Sequence, residues 1–137
     1  MMLRRPTLSL AGSAVLLAAL TLAGCSEEET PAVCSSINSL KTSVTDLQDV
    51  KIDRNALTTL QDSFTKIQSD LRKLKSDAED EYATEVDAID QAASSVSSSL
   101  EAAAAAPTAA TVTAVGVAIE SLGTSLRALE DAVRSTC

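Results

Sequence analysis

The sequence contains no histidine and no tryptophan, and it has one phenylalanine and one tyrosine among its 137 residues. Histidine is the commonest general base and the commonest metal ligand in proteins, so its absence removes the usual building block of both kinds of site. Large aromatic side chains supply much of the buried area of compact cores. Without them the core must be built from Leu, Ile, Val and Ala, which favours helices packed along narrow seams.

Glycine and proline are also scarce, with four and three copies. Because these residues punctuate most turns, the sequence predicts few turns and long elements. Positive charge is in the minority, and the net charge is −8. Such a surface repels nucleic acid, so we expect no nucleic-acid partner. No glycine-rich phosphate loop, nucleophile elbow or Cys-x-x-Cys motif occurs. We therefore expect no catalytic residue, no metal, and a protein that is not an enzyme.

The N-terminal segment combines a positive start with a short apolar run. Arg4 and Arg5 precede the uncharged residues 8–22. This run of about 15 residues is shorter than the roughly 20 that span a bilayer. A charged start, a short apolar body and small residues at its end are typical of a cleaved secretory signal. The run closes with Leu22-Ala23-Gly24-Cys25, which resembles the lipobox of bacterial lipoproteins.

The resemblance implies that residues 1–24 are a lipoprotein signal peptide, cut between Gly24 and Cys25. It also implies that the thiol of Cys25 carries a diacylglycerol, which would be the one non-protein group on the chain. Two acyl chains hold a protein stably at a membrane. We therefore expect the membrane to be a partner through the lipid. The expected location is the extracytoplasmic face of the cell membrane, or of an outer membrane where the envelope has one.

Residues 25–33 are predicted to be the lipidated N-terminus and an acidic tether, because three consecutive glutamates precede Pro31. Two cysteines then remain, Cys34 and Cys137, at the two ends of a predicted helical domain of residues 34–137. An exported protein lies in a compartment that permits disulfides. No histidine is available to complete a metal site with these thiols. The sequence therefore predicts a structural disulfide between Cys34 and Cys137.

Apolar residues recur every three or four positions in three runs, which predicts an all-α fold. The first run ends near Val50, and Asp53 is a good N-cap for the second. The second run has no glycine or proline across residues 54–106 and stops before Pro107. Its spacing contains one irregularity, a stutter between Leu74 and Val86 that unwinds a coiled coil locally.

The third run begins after Thr108, another candidate N-cap, and continues to Thr136. It contains Gly116 and Gly123, seven positions apart. We expect these glycines to face the Ala-rich second half of the preceding run, where small residues on both sides would let the helix axes approach closely.

Two architectures fit these runs. In the first, residues 54–106 form one long central helix paired in an antiparallel, coiled-coil-like assembly with two shorter helices. In the second, the long run breaks near residues 77–81 and gives a compact four-helix up-down bundle. The apolar stripes have mostly two positions per heptad, which suits a two-stranded seam and favours the long helix. The predicted disulfide is compatible with both.

The clusters of polar residues do not form a recognisable catalytic or metal-binding pattern. The densest acidic stretch lies at the middle of the second run and has neither the spacing nor the glycine of a calcium loop, so we interpret it as a solvated face (Asp77, Glu79, Asp80, Glu81, Glu85, Asp87 and Asp90). The leading functional hypothesis is a lipid-anchored envelope protein of non-catalytic type, which acts through a protein partner or as a structural element. The alternative is a lipoprotein that binds an apolar ligand or a lipid.

Overall fold

A computed structural model describes residues 31–78 and 80–137. Within these ranges the chain forms four helices and no strand, which confirms the all-α fold class. The helices are α1 (Ala32–Asp49), α2 (Leu57–Asp77), α3 (Ala83–Ala105) and α4 (Ala109–Ala132). Two short 3₁₀ turns, Arg54–Ala56 and Asp80–Tyr82, lead into α2 and α3. The predicted signal peptide of residues 1–24 and the predicted lipidation site Cys25 lie outside the described residues.

The helices pack as an up-down bundle in which each helix lies beside two others. α1 packs against α2 and α4, and α3 packs against the same two helices. The ion pair between Lys75 and Asp90 crosses from α2 to α3, and the pair between Lys41 and Glu130 crosses from α1 to α4, each at 2.8 Å. One continuous core of aliphatic side chains from all four helices runs between them (among its fully buried members are Leu40, Leu47, Leu60, Ile67, Leu74, Ile89, Ile119, Leu122 and Leu129).

The preferred prediction of one helix over residues 54–106 is not found, and the alternative bundle is. α2 ends at Asp77, and Ala78 is extended with ψ of 115°. The break lies inside the stutter between Leu74 and Val86. Asp80 and Glu81 lie in the 3₁₀ turn before α3 and Glu85 lies in its first turn, where the helix dipole favours negative charge. Folding back at this point also buries apolar seams that a two-stranded assembly would leave in water.

The stripes are wider than the sequence indicates, because small residues occupy a third buried position in heptads of α1, α3 and α4. Ser36 and Ser43 on α1 are buried, as are Ala92 on α3, and Ala118 and Gly123 on α4. None of these counts as a large apolar residue, so the stripes look two positions wide in the sequence. Where these small residues are buried the stripe is three positions wide, as is typical of a bundle helix, whereas α2 keeps a stripe of two.

The capping residues at the helix ends were predicted more reliably than the width of the apolar stripes. The carboxylate of Asp53 accepts hydrogen bonds from the backbone N–H groups of Asn55 and Ala56, at 2.8 and 3.1 Å. Thr108 caps α4 through a reciprocal capping box with Thr111. Both predicted N-caps are thus confirmed. α1 begins at Ala32, directly after Pro31, so the last two residues of the predicted tether belong to the helix.

The expected neighbours of the two glycines were wrong. A Cβ placed on Gly123 would meet the amide nitrogen of Gln48 at 2.5 Å, and one on Gly116 would meet Ile52 at 3.4 Å. The glycines therefore face α1 and the segment after it, not the Ala-rich helix α3. This follows from the bundle, since α4 has two neighbours and the glycines lie on the flank away from α3.

Candidate functional site at the cysteine end of the bundle

Cys34 and Cys137 are joined by a disulfide, with their Cα atoms 5.7 Å apart. Cys34 lies in the first turn of α1 and is buried, whereas Cys137 is exposed. Because α1 starts and α4 finishes at the same end of the bundle, the bond closes the described chain into a loop. We call this end, which also holds the end of α2 and the start of α3, the cysteine end.

Short-range hydrogen bonds bring Cys137 to its partner. α4 ends at Ala132, and the backbone N–H groups of Thr136 and Cys137 both donate to the carbonyl of Val133, each at 2.8 Å. The chain therefore closes in tight turns instead of continuing as a helix. These turns carry the last residue back over the first turn of α1.

Tyr82 links the disulfide turn to the start of α3. Its ring is buried, and its hydroxyl lies 2.7 Å from the hydroxyl of Thr136, next to Cys137. The spacing of the second run predicts that this tyrosine lies on the seam at the stutter, with its hydroxyl reaching water. The ring is indeed in the core, but the hydroxyl has a protein partner, because α3 and α4 fold back and bring Thr136 beside it.

A polar cluster joins α1 to α2 one turn further in. The ammonium of Lys73 donates to Asp77 at 2.8 Å and to the buried hydroxyl of Ser36 at 3.0 Å, and Ser36 in turn donates to Asp77. The hydrogen bond from Lys73, reinforced by that from Ser36, lowers the pKa of the Asp77 carboxyl below its usual range. The buried serine is therefore fully partnered.

The same arrangement repeats one heptad further along the bundle, where the buried hydroxyl of Ser43 donates to Asp70. Sequence reasoning missed both pairs. The available signal was that two serines on the inner face of α1 and two aspartates on α2 share the same spacing of seven. Polar pairs at heptad spacing fix the register of neighbouring helices, since a shift would leave the serines buried without partners.

The cysteine end also contains a cleft, and its polar side chains are mostly engaged in the contacts described above. A cleft of about 280 Å³ is lined by Pro31, Val33, Asp77, Tyr82 and Thr136, among others. Of its two carboxylates, Asp77 is paired with Lys73 and Glu81 is exposed, and the hydroxyl of its tyrosine is hydrogen-bonded to Thr136. In the described parts of the chain no three His, Cys, Asp or Glu side chains are grouped to hold a metal ion.

The predicted acidic face is only partly free. Asp77 and Asp90 are paired with lysines of α2, whereas Asp80, Glu81 and Asp87 are exposed. Glu79 lies outside the described residues. The structure therefore divides this stretch between an ion pair within α2, an ion pair that joins α2 to α3, and a solvated surface at the start of α3.

α4 is long and apolar enough, by length and composition, to cross a membrane. In the structure it packs in the bundle, with Val115, Leu122 and Leu129 fully buried against the other helices. Comparison of the chain with protein-family models, with curated protein sequences and with solved structures finds no match.

Proposed function

We propose that this protein is a lipid-anchored, non-catalytic component of a bacterial cell envelope, which presents a disulfide-closed helical bundle at the outer side of a membrane. The observation that carries the proposal is Leu22-Ala23-Gly24-Cys25 at the end of a short apolar signal. The lipid on Cys25 would be the anchor, and the bundle would act by contact with another protein or as a structural element.

The position of the anchor relative to the bundle supports an orientation. Pro31, where the described chain begins, follows Cys25 by six residues, which reach about 20 Å when extended. The cysteine end would therefore lie close to the membrane. α3 has 23 residues and is about 35 Å long, so the opposite end, with residues 50–56 and 106–108, would project away from the lipid surface.

The polar groups at the cysteine end support a structural role for that end. Asp77, Tyr82 and Ser36 are hydrogen-bonded to other side chains. A group that performs acid–base or nucleophilic chemistry must be able to reach a substrate and exchange a proton with it. Here the same groups join α1 to α2 and the C-terminal turn to α3, next to the disulfide.

Replacement of Cys25 tests the anchor. We expect the wild-type chain to sediment with membranes and to begin at a Cys25 that carries the mass of a diacylglycerol. Cys25→Ser should abolish the lipid mass and release the chain from the membrane fraction or leave its signal uncut. Ser26→Ala is the matched control and should behave as wild type. Membrane attachment with no lipid on Cys25 would refute the proposal.

Protein contact is tested separately. Crosslinking of the wild-type chain in intact cells, followed by mass spectrometry, should recover a partner at the outer face of the membrane. A chain that is lipidated but crosslinks to no protein would keep the anchor and contradict the interaction role.

The alternative, binding of an apolar ligand, is favoured by one groove. A depression of about 700 Å³ between α1 and α4 contains Ile52, Val112 and Val117, and polar Gln48 and Arg127 at its edges. An acyl chain could lie along the apolar part with its head group near the arginine. Native mass spectrometry of the protein purified in mild detergent should then reveal a bound lipid, and a mass equal to that of the lipidated chain alone would contradict this function.

A further inference from the structure

Charge is distributed unevenly around α4. Glu120 and Arg127 line the groove towards α1, and Glu130 is paired with Lys41 of α1. On the flank towards α3, the exposed residues of α4 that line the groove with that helix carry no charge (Ala110, Thr113, Ala114, Val117 and Ser121).

The adjoining surface of α3 has the same character. Ser95 and Ser99 of α3 form an open groove with Ala110, Ala114, Val117 and Ser121 of α4, and the groove has no charged residue in its lining. We call these six residues the uncharged face. Among the described residues, Val117 is the one large hydrophobic side chain that is exposed, at 61%. Val117 stands on the ridge between the uncharged face and the groove towards α1 that holds Glu120 and Arg127.

We propose that the uncharged face is a homodimer interface, through which α3 and α4 of one copy pack against α3 and α4 of a second copy. The reason is electrostatic. A symmetric contact places the same patch on both sides, so a patch that carries charge of one sign would meet its own sign. In a chain with a net charge of −8, two copies repel one another over most of their surfaces. The uncharged face is the surface that can meet itself without that cost.

The size of the face sets the expected strength. Residues 88–106 of α3 span about 27 Å, and two adjacent helices are about 20 Å wide, so the contact covers about 500 Å² per copy. The total of about 1,000 Å² is at the lower limit for a specific interface. The dimer is therefore expected to be reversible. Small side chains compensate in part, since they let the helices of the two copies approach closely.

The homodimer contact does not depend on the lipid anchor, but an anchor would restrict how the two copies are oriented. Two copies held by their N-termini at one membrane lie parallel, so every residue near the dimer axis meets its own copy at the same height. Val117 is close to the middle of α4 and meets itself in a parallel or an antiparallel pair. Ala110, in the first turn of α4, meets itself only in a parallel pair.

Charge exchange at Val117 gives the decisive test. The full chain is expressed in two differently tagged copies, and association is measured by co-purification of one tag with the other. Val117→Lys and Val117→Glu should each weaken association about tenfold, because like charges then face each other across the axis. Co-expression of the lysine with the glutamate variant should restore it. Ser69→Lys, at an exposed position of α2, is the matched control and should leave association unchanged.

Thiol crosslinking in intact cells locates the contact. With a short bis-maleimide, Val117→Cys should give a covalent dimer of the chain and Ser69→Cys should not. Loss of association in Val117→Lys without rescue by co-expressed Val117→Glu would overturn the proposal. Equal crosslinking of Val117→Cys and Ser69→Cys would also overturn it, as would a Val117→Cys adduct that contains a different protein. A dimer crosslinked at Val117→Cys and not at Ala110→Cys would support the interface and contradict a common membrane anchor.

Salt provides an independent measurement on the purified full chain in neutral detergent. Because the copies carry the same sign of charge and the contact is uncharged, raising NaCl from about 0.05 to 0.5 M should strengthen the dimer in sedimentation velocity. A dimer that dissociates as salt rises would be held by ion pairs and would overturn the assignment to this face.

Discussion

The disulfide is predicted to supply a large share of the stability of the bundle. The perturbation is the double substitution of Cys34 and Cys137 by alanine. The bond closes a loop across a sequence separation of 103 residues. In the chain-entropy treatment, a loop of that length stabilises the folded state by up to about 4.7 kcal/mol, because the unfolded chain loses conformational freedom.

That figure is an upper value, and the rest of the bundle sets its importance. A domain of this size is stable by roughly 5–15 kcal/mol in total. Here the core is built from aliphatic side chains, with Phe64 and Tyr82 as its aromatic members. We expect the double variant to lose about 3–5 kcal/mol, so that it is folded in buffer at low temperature and unfolds at a much lower urea concentration.

The assay is urea unfolding followed by far-ultraviolet circular dichroism, in a Cys25→Ser background so that no third thiol exchanges with the pair. Ser35→Ala, at the exposed position beside Cys34, is the matched control and should leave the midpoint unchanged. Reduction of the parent protein should reproduce the double variant. A loss of unfolding free energy smaller than about 1 kcal/mol, with the same dependence on urea, would refute this prediction. Removal of the disulfide would then have given the unfolded chain little additional conformational freedom.

Three further predictions concern side chains of the bundle. Gly116→Ala should raise the free energy of unfolding by up to about 1 kcal/mol, since its Cβ would meet Ile52 at an ordinary 3.4 Å; Gly123→Ala should gain less because Gln48 must move. Tyr82→Phe should cost about 0.5–1.5 kcal/mol through the lost bond to Thr136, and a double-mutant cycle with Thr136→Val should recover that coupling. Asp77 has a pKa lowered from 3.8, so its stabilising effect is fully present well above pH 3.8 and disappears as the pH falls through the lowered value. Asp77→Asn should therefore destabilise the protein at neutral pH and differ less from wild type under acid, as measured by thermal unfolding across pH.

The helices themselves were predictable because their signals are local. The spacing of Leu, Ile and Val marked each run, and Asp53, Thr108 and Pro107 marked their limits. The alternative architecture located the break near residues 77–81, but the sequence did not show that the run breaks there, because no glycine or proline marks the position. The break results from a competition between two packed states of the same run, and the winner depends on how much surface all four helices bury together.

At the cysteine end, the disulfide could be predicted from the sequence, but the hydrogen bonds around it could not. The pairing of Cys34 with Cys137 followed from the count of cysteines that an exported chain leaves free. The Ser36–Asp77 and Ser43–Asp70 pairs depend on which flank of α1 faces α2. The pattern of apolar residues indicates the inner face of a helix, but it does not indicate which helix lies on either side of that face. For the same reason, the predicted neighbour of Gly116 and Gly123 was wrong.

The asymmetry of the bundle now has a physical interpretation that connects its parts. α1 and α2 are joined by buried Ser–Asp pairs, and α1 and α4 by the ion pair of Lys41 and the disulfide. In the groove between α3 and α4 the exposed residues are instead Ala, Ser, Thr and Val. The links that fix register and close the chain therefore lie at α1, and none of them uses a residue of this groove. Substitutions in the groove should for that reason change the proposed contact between two copies without breaking these links.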